Sequence, residues 1–394
     1  MKDVIRVILI DPLPESRHGL HAMLSASPEF WVADVFNTYE NAVRRVLEVN
    51  ADLVIVAIDA DPVAGVRLVQ ALTRECPRAV TVPASMTRDS SIILQVVRAG
   101  AREFLTLPIA RDAFVATVGR LFEGREEAKP EAERGPHIIA TAGAAGGVGC
   151  TSIAVNLAAT LAKTSGHETL LADFDLLLGT VDACLDIVTT RTLLDVTQNI
   201  ARLDLTLLKR SVTQHSSGLY VLPHPAAFED AAKIDPETLR RVLSLFKSAY
   251  ATIVIDTSKG LQATDFLAYE SADVILVVTQ LDLTCLRNTA RLLDLFRQFD
   301  NLIDRVKLVV NRVGQTENEI SLKKAEETLK LPIAWQLANA QKTFQNARMK
   351  GVTIEAEAPG SRSHQVFLDM AQKLRPFPVV EITKQRRGLF AALF

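Results

Sequence analysis

Through the first 124 residues, short apolar runs alternate with stretches whose apolar positions recur every three or four residues. Val4-Ile-Arg-Val-Ile-Leu-Ile10 reads as a buried strand that stops at Asp11-Pro12, and Arg17 to Leu24 reads as a helix. Leu53 to Ile58, Ala79 to Val82 and Glu103 to Leu107 carry the same strand signal, short runs rich in β-branched residues. Strands separated by helical stretches imply βαβ units, and therefore a parallel sheet. The periodicity then breaks at Gly124-Arg-Glu-Glu-Ala-Lys-Pro-Glu-Ala-Glu-Arg-Gly-Pro136, a charged stretch that predicts a solvated linker over 125–136.

Beyond it the alternation resumes at larger scale. Ile138 to Ala140, Glu168 to Asp175, Thr252 to Asp256, Asp273 to Thr279 and Arg305 to Arg312 read as strands. Asp235 and Pro236 are an N-cap and a first helical residue ahead of Leu239, Val242, Leu243 and Phe246. The chain thus reads as α/β throughout. A first parallel-sheet domain spans 1–124, a larger one with helices on both faces spans 137–378, and a basic-apolar tail spans 379–394.

The chemistry concentrates where the strand Ile138 to Ala140 enters Gly143-Ala-Ala-Gly-Gly-Val-Gly-Cys-Thr-Ser152 and leaves as the helical stretch Ile153 to Ala162. Glycines let backbone approach a phosphate, and successive N–H groups with a helix N-terminus supply the field an anion seeks. The usual phosphate loop is G-x-x-x-x-G-K-[ST]. Here Ala144 replaces the first glycine and Cys150 the lysine, while Thr151 remains to hold Mg²⁺.

Two resemblances follow. Gly100-Ala-Arg-Glu-Phe-Leu-Thr-Leu-Pro108 and the strand spacing resemble the flavodoxin-like receiver domain of response regulators. Laid on that pattern, Asp11 keeps one metal-binding acid, the phosphoryl-acceptor position falls on Ala57 and the lysine position on Leu107, with Asp59 the acceptor only if the register slips. The implied module is a pseudo-receiver for docking or dimerisation.

The loop, followed by Asp173-Phe-Asp175 and by Asp256, resembles the MinD/ParA group of P-loop ATPases. That resemblance implies ATP and Mg²⁺ as cofactors. Ala145, Gly146, Gly147, Val148, Gly149, Cys150, Thr151 and Ser152 would form the nucleotide loop, with Thr151 and Asp256 at the metal. Asp175 would polarise water, with Asp173 either an active-site acid or the residue that closes the strand and orients Asp175, and Asn311 beside Arg312 would read adenine or serve as a strand-end turn residue. Ala145 stands where a lysine crosses to the partner's ATP. Lys259, three residues past Asp256, is either a replacement cation or a solvated loop lysine.

Asp175 to Gly179, Leu203 to Leu208, His215 to Leu222 and Thr279 to Asn288 are similar to the CpaE/TadZ family of tight-adherence pilus proteins, which also joins a degenerate receiver to a MinD/ParA-like domain. The implied function is a dimeric ATP-binding scaffold or localisation factor for pilus assembly, polar or membrane-associated, with absent or very slow hydrolysis. The alternatives are an active ParA/MinD-type ATPase cycling on membrane or nucleoid, which Ala145 and Cys150 oppose, and a phosphorylation-controlled output protein, which Ala57 and Leu107 oppose.

Composition narrows these classes further. With 48% hydrophobic and 23% charged residues and a net charge of −2, the 394-residue chain predicts two globular domains without a general attraction to nucleic acid. Four scattered cysteines, Cys76, Cys150, Cys184 and Cys285, predict reduced thiols. Met1-Lys2-Asp3 leads straight into a strand and no apolar run approaches the roughly 18 residues of a membrane span, so a cytoplasmic location is expected. Lys384 to Phe394 places Leu389, Phe390, Leu393 and Phe394 behind basic residues, a pattern for weak membrane or partner contact. His215 and His224 lack metal-ligand spacing and read as surface or loop residues.

Overall fold

The computed structural model describes residues 4–27, 29–49, 51–87, 89–122, 137–200, 205–299 and 301–374. The linker at 125–136, the tail at 379–394 and the end of the second domain at 378 therefore lie outside the described residues.

The first domain alternates β1 (Ile5–Ile10), α1 (Pro14–Ser25), β2 (Phe30–Phe36), α2 (Ala42–Val49), β3 (Leu53–Ala57), α3 (Pro62–Glu75), β4 (Val80–Ser85), α4 (Ser90–Arg98), β5 (Leu105–Thr106) and α5 (Arg111–Phe122). Its strands form a parallel sheet in the order β2-β1-β3-β4-β5. One face buries Ile8, Val54 and Val56 with Val46 and Val69; the other buries Val7, Leu9 and Ile55 with Leu20 and Phe114. Central strands apolar on both faces are what helices on both sides demand. Arg6, paired with Asp52 at 3.0 Å, also donates to the Ser248 carbonyl at 2.9 Å and so touches the second domain.

In the second domain β6 (His137–Gly143) leads into α6 (Cys150–Ser165), then β7 (Thr169–Asp173), β8 (Thr213–Gln214), β9 (Tyr220–Leu222), β10 (Thr252–Asp256), β11 (Val274–Thr279), β12 (Val306–Val313) and β13 (Ile333–Ala338). The order is β13-β12-β11-β6-β10-β7-β9-β8. The sheet is parallel, as expected, apart from the short edge strand β8, which runs antiparallel to β9. β6 lies between β10 and β11, so the chain leaves it at the point where successive connections diverge to the two sides. Ligands of open parallel sheets collect in that crevice, at the strands' carboxyl ends.

Helix α6 is buried along most of its length by alanines and leucines, and packs beside the helix Arg362–Lys373. Gly149 precedes it with φ of 105° and Gly166 ends it with φ of 72°, both left-handed positions that favour glycine.

Candidate functional site

Between β6 and α6 the backbone turns through Gly147, at φ 76°, and Gly149, at φ 105°. A Cβ added at Gly143 would overlap the Cys150 Sγ, and one at Gly149 would overlap Asn311 Nδ2. At Gly146 and Gly147 nothing lies within 4 Å of that position, so this part of the loop faces open space. The loop carbonyls are held from behind. Asn311 Nδ2 donates to Val148 O at 2.7 Å, and Gln280 Nε2 lies 3.5 Å from Gly147 O and 3.4 Å from Val148 O. Closed behind and open in front, the loop fits a phosphate cradle.

Cys150, the first residue of α6, is buried against Gly143. Burial, with Asp256 nearby, pushes its thiol far up. A lowered pKa is what makes a helix-terminal cysteine reactive, so this one acts as a plug in the lysine's place.

Asp256 ends β10 and is buried. Thr141 Oγ1 donates to it at 2.9 Å, and the Thr151 hydroxyl is near enough to favour its ionised form. Burial first, then the charge of Asp173, raises its pKa to about 7. A dry carboxylate beside a hydroxyl at a helix N-terminus is a donor set suited to Mg²⁺, a hard cation that would restore the ionised form.

Asp173 is fully buried and accepts from the backbone N–H of Asp175 at 3.1 Å and of Val181 at 3.2 Å. His224 Nδ1 lies 3.5 Å from it, and that carboxylate raises the imidazole's pKa. His224 lies in the loop after β9, as expected, and also belongs to the site's framework. Asp175 itself accepts from the Leu178 N–H at 3.1 Å, and Lys259 Nζ lies 3.7 Å from its carboxylate. The charge of Lys259 also reaches Asp256 and Cys150. Lys259 is itself exposed, in the loop after β10, and the contact with Asp175 is what ties it to the site.

Two family matches divide the chain. The response regulator receiver domain family matches residues 7–119 and the AAA domain family residues 136–310. An uncharacterised ATP-binding protein of Methanocaldococcus jannaschii is 25% identical over 256 residues, covering 65% of this chain and 94% of that one. The septum site-determining protein MinD of Bacillus subtilis is 24% identical over 267 residues, covering 66% of this chain and 97% of its own. The crystal structure of a ParA family ATPase from Chlorobium tepidum superposes with a TM-score of 0.57 at 26% identity, covering 60% of this chain and 98% of that chain. The chain joins a receiver domain to a MinD/ParA-like P-loop ATPase domain.

In the MinD/ParA-like domain, Asn311 Nδ2 donates to Val148 O and its Oδ1 accepts from the Arg312 N–H at 2.9 Å, so Asn311 braces the loop and keeps a second N–H and a lone pair. Arg312 is left-handed at φ 58°. Ala145 presents a methyl group that packs beside the core containing Val148 and Cys150.

Sequence reasoning passed over Thr141, Gln280 and Arg348. The first two were within reach, because Thr141 lies near the end of β6, which enters the loop, and Gln280 directly follows the neighbouring strand β11. Arg348 Nη2 donates to Ser152 Oγ at 3.0 Å across 196 residues of sequence, a pairing no local pattern signals.

In the receiver domain, Asp11 is fully buried and accepts from the Leu13 N–H at 2.9 Å and Ser16 Oγ at 2.5 Å. The Ala57 carbonyl accepts from the Tyr39 hydroxyl at 2.7 Å, and Leu107 is buried in the apolar core. Asp59 is engaged: Ser85 Oγ donates to one of its oxygens and the Met86 N–H to the other at 2.8 Å. A carboxylate already satisfied by two donors, with the lysine position apolar, makes a poor phosphoryl acceptor. Incubation with acetyl phosphate and Mg²⁺ is expected to leave the intact mass unchanged. Incorporation that Asp59→Asn abolishes would show the opposite.

Proposed function

We propose that this protein is a nucleotide-binding scaffold or localisation factor. It would bind ATP with Mg²⁺, dimerise, and hydrolyse ATP very slowly or not at all. The observation that carries the reading is the pair Lys259 and Asp175 at 3.7 Å, beside a loop whose lysine position is plugged by buried Cys150. Lys259 supplies positive charge from β10's side of the site. In doing so it occupies the acid proposed to polarise water. Gly146 to Ser152 would hold the phosphates, and Thr151 with Asp256 the metal.

The name of the Methanocaldococcus relative as an ATP-binding protein supports nucleotide binding, and the septum-site role in the name of the Bacillus relative supports a positioning role. Assignment to tight-adherence pilus assembly rests on the resemblance carried by Asp175 to Gly179, His215 to Leu222 and Thr279 to Asn288.

Calorimetry and phosphate release on the purified protein test this reading. Mg-ATP is expected to bind, and phosphate release to stay near background, because Ala145 leaves no lysine to cross to the partner's ATP and a cation delivered to the transition state contributes about 10³–10⁵ in rate in related phosphoryl transfer. Lys259→Ala is expected to weaken ATP about 10- to 150-fold, the loss of one charge-assisted contact. Asp175→Ala is expected to preserve binding. Turnover on the order of 1 s⁻¹ or faster would overturn the scaffold reading.

A further inference from the structure

Helix Gln341–Met349 follows β13 and ends beside the first turn of α6. Arg348, on its last turn, is exposed and reaches Ser152 Oγ at 3.0 Å. The basic residues around it have acidic partners: Lys350 pairs with Glu357 at 2.8 Å and Lys163 with Glu355 at 2.5 Å. Among the described residues Arg348 has no carboxylate within ion-pair distance; the hydroxyl of Ser152 is its side-chain partner.

The placement is electrostatically unusual. Ser152 is the third residue of α6, in the turn whose free N–H groups already present a positive field. A guanidinium held there meets charge of its own sign, an arrangement that an anion between the two would make favourable. The backbone keeps it in place. Asn156 Nδ2 donates to the Ser152 carbonyl at 2.8 Å, and Asn156 Oδ1 accepts from the Ile354 N–H at 2.7 Å. Buried Asn156 therefore fixes the chain just beyond Arg348 to the same turn of α6.

We propose that Arg348 is a phosphate-binding residue of the nucleotide site, supplying from the far side of the loop the charge that Cys150 does not carry. This rests on the nucleotide-binding reading above. A guanidinium has five N–H donors in a rigid fork, and here one nitrogen is spent on Ser152, so donors remain for phosphate oxygens. Lys259 approaches from the Asp175 side and Arg348 from the Ser152 side, which brackets the loop with two cations from outside its own sequence.

Isothermal titration of full-length wild type, Arg348→Ala and Arg348→Lys with Mg-ATP and with adenosine tests the assignment, alongside urea denaturation without ligand. Arg348→Ala is expected to weaken ATP about 10- to 150-fold, with part of the affinity kept by Arg348→Lys. Adenosine binding is expected to be unchanged, and ligand-free stability to be equal or higher once the like charge leaves the helix N-terminus. In a Cys150→Lys background, the loss caused by Arg348→Ala is expected to shrink. Wild type that binds no ATP would remove the nucleotide-binding reading itself. ATP binding by wild type with an unchanged Kd in Arg348→Ala, or an equal loss for adenosine, would overturn the role of Arg348 alone.

Discussion

Asp256→Asn is expected to make the ligand-free protein more stable at pH 8, by up to the order of 3–4 kcal/mol, with the gain shrinking at pH 5 and closing toward pH 4. The carboxyl is buried and its pKa is raised from 3.8 to about 7. Between those values the folded chain keeps a proton that the unfolded chain releases. This group's contribution is therefore fully present below about pH 4 and is lost as pH rises through about 7. Asparagine keeps an oxygen to accept from Thr141 and carries no charge to bury. Urea denaturation in EDTA at pH 5 and pH 8 measures the difference, and equal stabilities at pH 8 would refute it. With Mg-ATP the order is expected to reverse, because the aspartate with Thr151 would hold the metal and the amide would not. A site that costs stability when empty and regains it when loaded is what a nucleotide-dependent scaffold requires.

Much of this was legible from local pattern. The buried parallel strands announce themselves as unbroken β-branched runs, as in Thr252 to Asp256 and Val274 to Thr279, because both of their faces are covered. Of the four strands passed over, two were missed for opposite reasons. Phe30–Phe36 carries an aspartate within its apolar run, and Ile333–Ala338 alternates buried and exposed residues because it lies at the sheet edge. The phosphate loop was legible because glycine spacing encodes backbone shape directly. Its replacement charges were not equally so. Lys259 stood out by its distance from Asp256 in sequence, whereas Arg348 comes to Ser152 through the packing of a helix beyond β13, which only tertiary structure shows. The receiver pocket repeats the lesson, since the sequence shows that Ala57 and Leu107 lack the chemistry but not that Ser85 and Met86 hold Asp59.

Gly149→Ala is expected to destabilise the protein by about 2–5 kcal/mol and abolish ATP binding, whereas Gly146→Ala is expected to leave stability within about 0.5 kcal/mol while weakening ATP about 10- to 150-fold. At Gly149 two costs combine. Its φ of 105° is strained for any L side chain, and the new methyl would overlap the Asn311 amide that holds Val148 O at 2.7 Å. Relief requires moving Asn311 or unwinding the start of α6, and either displaces Thr151 from Asp256. At Gly146 the backbone is unstrained and nothing lies within 4 Å of the added methyl, so the fold has no reason to respond. The methyl would instead stand where a phosphate must approach the loop N–H groups. Thermal melts read the first effect and titration calorimetry the second. Equal melting temperatures for the two variants would show that the loop's shape does not depend on Gly149. Equal ATP affinities for Gly146→Ala and wild type would place the phosphates elsewhere, and with them the reason for Lys259 and Arg348 to converge on this loop.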